Sequence, residues 1–160
     1  MANTPASSTP LGGDVQAASR FLLEIDGAQV GVFRSVSGLS ASIEPAKIIE
    51  GGQNGYTHMF PGRLQWPNLV FKGGLTDSDA MFAWLSRTSG EQFAANGNKL
   101  DRSTGSVVAI GFGNRRLRTW SFLDMFPVRW KGPDFDVESN AALEEELEVA
   151  HHGFTQTTGS

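Results

Sequence analysis

The chain has 160 residues, a formal net charge of −4, 19% charged residues and no cysteine. That length suits one domain able to bury roughly 68–70% of the surface its unfolded chain exposes, without help from a metal or a disulfide. The composition excludes a disulfide framework, a thiol nucleophile and cysteine-ligated zinc, supplies no basic surplus for nucleic acid or anionic lipid, and contains no apolar run near the ~20 residues of a membrane span.

Residues 1–14 are rich in Ala, Ser, Thr, Pro and Gly. They offer little apolar surface against ordering entropy, so residues 1–18 read as a flexible tail. The tail lacks a basic start and an apolar stretch, and is not expected to act as a secretory signal. In residues 20–27, Phe21, Leu23 and Ile25 alternate as in a half-buried strand, and Asp26-Gly27 signals a hairpin turn. Residues 30–34 are the returning strand, followed by Gly- and Ser-interleaved residues 36–43 and a β-branched run at 47–50.

Two turn clusters, residues 51–55 and Pro61-Gly62-Arg63, flank a short strand-like piece at 56–60. The pattern predicts a long projecting hairpin, which cannot cover both faces within its own domain. Residues 65–72 are a strand candidate that Pro67 confines to a start or an edge. One helix is signposted: Thr76 or Asp77 as N-cap, Met81, Phe82 and Leu85 on one face with Trp84 nearby, and Gly90 as the stop. Strand candidates follow at 106–112, 114–122 and 126–130. By composition residues 141–152 favour helix, although Leu147, Val149 and His151 also alternate as in a strand. Residues after Phe154 read as a loose polar tail. The fold class expected is mainly β (α+β), an antiparallel β-barrel or sandwich with one flanking helix; the domain spans 19–155, with 156–160 as a C-terminal tail.

No chemistry converges. His151 and His152 are neighbours, so on a strand they face opposite sides and cannot chelate one ion together; His58 lies in the projecting hairpin. Asp134 and Asp136 sit in a Gly-Pro turn region, where Asp commonly satisfies local backbone donors. Gly111-Phe112-Gly113 starts like a dinucleotide fingerprint, but Arg116 occupies the third glycine position. No Ser-His-acid set stands out, and no catalytic residue, cofactor or metal is called for. Arg115, Arg116 and Arg118 form a basic cluster; Glu144, Glu146 and Glu148 form an acidic one, and the two are candidates to meet across subunits.

Taken in order, several of these segments resemble the phage tail tube protein family of contractile tails and the inner tube proteins of contractile injection systems. The carrying pieces are residues 21–27, Val36-Ser-Gly-Leu39, Glu50-Gly-Gly-Gln-Asn54, Pro61-Gly-Arg63, Asn68-Leu69 and residues 72–77. Trp84, Trp120, residues 126–130, Gly132-Pro-Asp134 and residues 147–151 complete them.

The resemblance implies a barrel or sandwich with a helix on its flank, six-fold rings stacked into a tube, and a strand rather than a helix at 147–151. It implies as partners the chain itself, a sheath protein, baseplate and cap proteins and lumen cargo, with no membrane anchor and no specific nucleic-acid binding. Assembly is expected in the bacterial cytoplasm, as part of a phage tail-like particle that can be released. In such a ring residues 44–63 are the natural reaching element. Glu50, Gly51, Gly52, Asn54, Tyr56, Met59, Phe60, Pro61, Gly62 and Arg63 are then its candidate contact residues. Two other readings remain open: a type VI secretion-like ring that carries effectors, and a lone ligand-binding barrel lined by Trp66, Trp120 and Trp130.

Overall fold

The computed structural model describes residues 17–48, 51–52, 55, 57–76, 78–100, 102–133 and 144–158. Strand β1 (Arg20–Ile25) turns through Asp26 and Gly27, whose φ values of 51° and 81° are the left-handed pair a two-residue hairpin needs. Strand β2 (Ala28–Phe33) returns and continues, after a one-residue break, as β3 (Ser35–Ser37). Next come β4 (Ser42–Ile48), β5 (His58–Gln65), β6 (Leu69–Thr76), α1 (Ser78–Thr88) and α2 (Glu91–Ala95). The chain closes with β7 (Ser103–Ile110), a short 3-10 turn at Phe112–Asn114, β8 (Arg116–Lys131), β9 (Glu145–Ala150) and β10 (Phe154–Thr158).

Pairing runs β1–β2–β6–β9–β8–β7 and back to β1, every neighbour antiparallel, so the sheet closes into a six-stranded barrel. Two of its walls are broken strands: β2 and β3 share one side of β6, while β9 and β10 share one side of β8. Closure removes most open edges, the usual hazard of β proteins. The interior is filled by side chains, as in other small barrels: Leu23, Leu69, Phe71, Val107, Phe122, Met125, Leu147 and Val149 are all fully buried.

The helix forms where expected, but it buries a different face. Met81 and Trp84 are 1% exposed and join the core, whereas Phe82 stays largely exposed and meets Trp130 of β8 edge-on at 5.2 Å. The capping candidate Asp77 lies outside the described residues, as do residues 1–16 and Asp134 and Asp136.

Four sequence expectations are corrected. Residues 114–122 and 126–130 are parts of one 16-residue strand, β8; Asp124, with φ of 54°, absorbs a local irregularity between its two halves. Pro61-Gly62-Arg63 is not a turn but lies inside β5. A second short helix, α2, follows Gly90. The stretch after Phe154 is not loose: through Thr158 it is β10, paired residue by residue with β8. Residues 145–150 are a strand against their composition, because Leu147 and Val149 enter the core while Glu146 and Glu148 face cations on adjacent strands. A sheet with a partner on each side overrides a weak helix preference.

Candidate subunit-docking arm

Strands β4 and β5 form a separate two-stranded sheet, and among the described residues they pair only with each other. Every residue of β4, and every residue of β5 except His58, is exposed. This is the projecting hairpin expected from the two flanking turn clusters, longer than predicted because β5 runs through Pro61 to Gln65.

The arm continues the barrel's own ladder. Ser35 lies opposite Lys72 and Ser37 opposite Val70 in the β3–β6 pair; Ser42 opposite Gln65 and Ile43 opposite Leu64 keep the same register in β4–β5. Between them the chain leaves the wall at Gly38 and rejoins it at Asn68. Gly38 has φ of 89°, and a Cβ there would stand 2.1 Å from the Asn68 carbonyl oxygen. Only glycine permits that backbone and that approach.

Opposed residues of an antiparallel pair share a face. One face of the arm therefore carries Pro45 and Lys47 with Met59 and Pro61; the other carries Ala46 and Ile48 with His58 and Phe60. A bulge then sets Gly62 and Arg63 against Glu44 alone. It flips the parity of β5, so that Leu64 joins Ile43 on the first face. That face is a continuous apolar strip of Ile43, Pro45, Met59, Pro61 and Leu64; Met59 is 61% exposed and Ile43 52%. Gly62 is required at the bulge, since a Cβ there would lie 2.0 Å from the Glu44 carbonyl oxygen. On the other face the rings of His58 and Phe60 stack at 6.5 Å, and Ile48 is half exposed.

Of the residues singled out in the sequence, Met59, Phe60, Pro61, Gly62 and Arg63 fall on β5, and Gly51 and Gly52 are exposed toward the tip. Glu50, Asn54 and Tyr56 lie outside the described residues. Ile43, Pro45, Ile48 and Leu64 were missed. The two-residue period of 43, 45 and 47 carried a signal for the first face, but Leu64 joins it only through the bulge.

The two charge clusters do not sit as unsatisfied opposites. Arg116 pairs with Glu24 at 2.8 Å and Glu144 with Arg34 at 2.9 Å. Glu146 pairs with Lys72 at 3.2 Å and also with Arg129. Glu148 accepts from Asn68 at 2.8 Å and lies 3.5 Å from Arg129. A hydrogen bond from Lys72, and beyond it the charges of Lys72, Arg129 and Lys131, hold the Glu146 carboxyl below the usual carboxylate range. These acids already have cations within the chain. Arg115 and Arg118 lie at the exposed start of β8.

The tryptophans proposed as a ligand lining have separate structural partners. Trp66 packs on Phe154 and His151 at 5.2 and 6.0 Å, Trp120 Nε1 donates to Gln156 Oε1 at 3.2 Å, and Trp130 meets Phe82. Among the described residues no three His, Asp or Glu side chains gather as a metal site.

Solved structures share this architecture. The chain is 20% identical to a chain of the sheath–tube complex of an extracellular contractile injection system, PVC, with TM-score 0.72, covering 97% of this chain and 99% of that one. It is 21% identical to a chain in the tube-terminating cap of the anti-feeding prophage, with TM-score 0.68 and coverages of 98% and 97%. Hcp1 from Salmonella typhimurium is more distant, at 14% identity, TM-score 0.51 and coverages of 89% and 87%. No curated protein is similar enough to count as a relative. The model of the T4-like virus tail tube protein gp19 family matches residues 17–155, nearly the whole barrel together with its arm, and the chain belongs to that family.

Proposed function

We propose that this tube subunit joins its copies through the β4–β5 arm, whose apolar strip is covered by a neighbouring subunit. The single observation that carries the reading is that strip: Ile43, Met59 and Leu64 stand exposed on a hairpin that pairs with no other strand among the described residues. Buried apolar surface contributes about 25 cal/mol per Å², so covering the strip is a substantial drive toward assembly. A head-to-tail contact of this kind closes into a ring when its rotation divides a circle.

The assembled form is a stack of hexameric rings around a lumen. The solved relatives come from sheath–tube, six-fold symmetrised baseplate and cap assemblies. By extension, sheath, baseplate and cap proteins are the partners of this chain, and the lumen carries cargo. The role is mechanical and needs no catalytic group. Assembly takes place in the bacterial cytoplasm, and the finished particle can leave the cell.

The test is deletion of residues 53–59. The expected product is a folded monomer, by circular dichroism and sedimentation, that forms no rings in negative-stain micrographs where the intact chain does. Rings that survive the deletion would remove the arm from the assembly mechanism.

A further inference from the structure

Helix α2 is weakly held. It has five residues, none of them buried, and Gly90 stands at its N-cap with no side-chain bond. Phe93 is its one half-buried side chain; Glu91, Gln92, Ala94 and Ala95 are exposed. A helix this short is marginal in water by itself, so α2 depends on its contact with α1 and opens at little cost.

The turn that ends α2 holds an Asn-Gly step. Asn96 is the C-cap, with φ of −87° and ψ of 21°, and Gly97 follows in the left-handed region at φ of 69°. Both are exposed, and a Cβ placed on Gly97 would meet nothing within 4 Å. Three backbone bonds close the turn. Asn96 N–H donates to the Gln92 carbonyl at 3.0 Å, Gly97 N–H to that of Ala94 at 3.1 Å, and Asn98 N–H to that of Phe93 at 3.0 Å. All three acceptors belong to α2, so the Gly97 amide is freed whenever the helix frays.

A free amide nitrogen next to asparagine can close a ring on the side-chain carbon, and a side chain on the following residue hinders that approach. Glycine presents none. The other asparagines in the described residues differ. Asn68 precedes the fully buried Leu69, and its Nδ2 donates to Glu148 at 2.8 Å. Asn114 precedes Arg115 and accepts from Arg20, and Asn98 precedes Lys99.

We propose that Asn96 is a site of spontaneous covalent modification in the folded chain, converted through a succinimide to aspartate and isoaspartate and gated by the opening of α2. Once the turn opens, the Gly97 amide gives its proton to hydroxide and its nitrogen attacks Asn96 Cγ. The N–Cγ bond forms and the Cγ–Nδ2 bond breaks; Nδ2 leaves as ammonia with a proton from water, which restores the hydroxide. Water then opens the ring. Cleavage of the new bond leaves aspartate, and cleavage of the original peptide bond leaves isoaspartate. Water enters, ammonia leaves, and nothing is oxidised or reduced. Either product puts a carboxylate among the carbonyls that end α2, where negative charge is unfavourable. The barrel is spared, because α2 contributes no buried side chain.

The experiment keeps the full chain in mildly alkaline buffer, folded or unfolded in guanidinium chloride, and maps its peptides by mass spectrometry over time. Cleavage after Arg63 and Arg87 reads Asn96 apart from Asn54, which also precedes glycine and lies outside the described residues. Asn96 in the folded chain should convert within about thirtyfold of its rate in the unfolded chain, since segments of low stability open with small free energies. Asn68 and Asn114 should stay intact over the same period. Isoaspartyl methyltransferase should label the product at position 96. Gly97→Ala should slow the conversion at least about tenfold by hindering the attack, and Asn96→Asp should keep the melting temperature within a few degrees.

If Gly97→Ala does not fold, amide hydrogen exchange in the intact chain decides. The Gly97 amide should exchange far faster than that of Leu23 in the barrel wall. An Asn96 that converts more than about thirtyfold slower when folded overturns the proposal, because α2 would then stay shut. So does Gly97→Ala converting as fast as the intact chain, or a Gly97 amide as protected as Leu23.

Discussion

His151 fastens the root of the arm to the barrel: its Nε2 lies 3.1 Å from the carbonyl oxygen of Pro67, two residues beyond the end of β5. Its Nδ1 accepts the Gly153 N–H at 3.1 Å, so the ring proton sits on Nε2 and is donated to Pro67. The ring is 5% exposed and packs between Phe122, Phe154 and Trp66.

Burial holds the His151 pKa below its ordinary value of 6.5, and His152 adds a smaller push in the same direction. The other charged groups nearby, Asp124 and Arg102, bond His152 on the exposed side. A group whose folded pKa is depressed binds its proton first in the unfolded chain. Stability is therefore full above pH 6.5 and falls as pH drops toward the folded value, by at most about 1.4 kcal/mol per pH unit. Chemical denaturation from pH 7.5 to 5 should show this slope, and His151→Phe should lose its part of it. The same variant should cost about 1–3 kcal/mol at pH 7.5, because the Pro67 carbonyl and Gly153 N–H lose their partner.

On the apolar strip, Met59→Lys or Leu64→Glu should change monomer stability by less than about 0.5 kcal/mol, since both side chains are already solvated. Either change should weaken assembly, read as ring yield against protein concentration. A loss of assembly accompanied by a loss of fold would mean that the strip supports the monomer instead.

Gly38→Ala should destabilise by about 1–3 kcal/mol or more, from the left-handed backbone and the contact with the Asn68 carbonyl oxygen together. Thermal melting measures it. Gly27→Ala is the control: its φ is also positive, but a Cβ there meets nothing within 4 Å, so its cost should be smaller.

Trp84 is 1% exposed, and its indole N–H has no hydrogen-bond partner among the described residues. Removing that N–H while keeping most of the ring volume should cost much less than emptying the site. Trp84→Ala should cost about 3–5 kcal/mol and Trp84→Phe distinctly less, measured by denaturant titration.

Much of the fold was legible in the residues themselves. The alternation of Phe21, Leu23 and Ile25, the Asp26-Gly27 turn and the helix ending at Gly90 each need only near neighbours along the chain, and periodicity reports them directly. The arm was legible as a hairpin because Gly51 and Gly52 mark the turn between its two strands. Its apolar strip was not, because the bulge at Gly62 reverses the parity of β5 and a one-residue slip exchanges the faces. The helix face was misjudged for a related reason: spacing grouped Phe82 with Met81 and Leu85, while the barrel and Trp130 decided which side is inward.

By itself the sequence determined a β-rich fold with one main helix and a projecting hairpin, since composition and short-range patterns carry that much. Tertiary structure alone decided the rest: the closure of six strands, the in-chain pairing of Glu144, Glu146 and Glu148, and the strand at residues 154–158. Those are relations between segments tens of residues apart, and they depend on register and on which edge has a neighbour, which no local stretch of chain encodes.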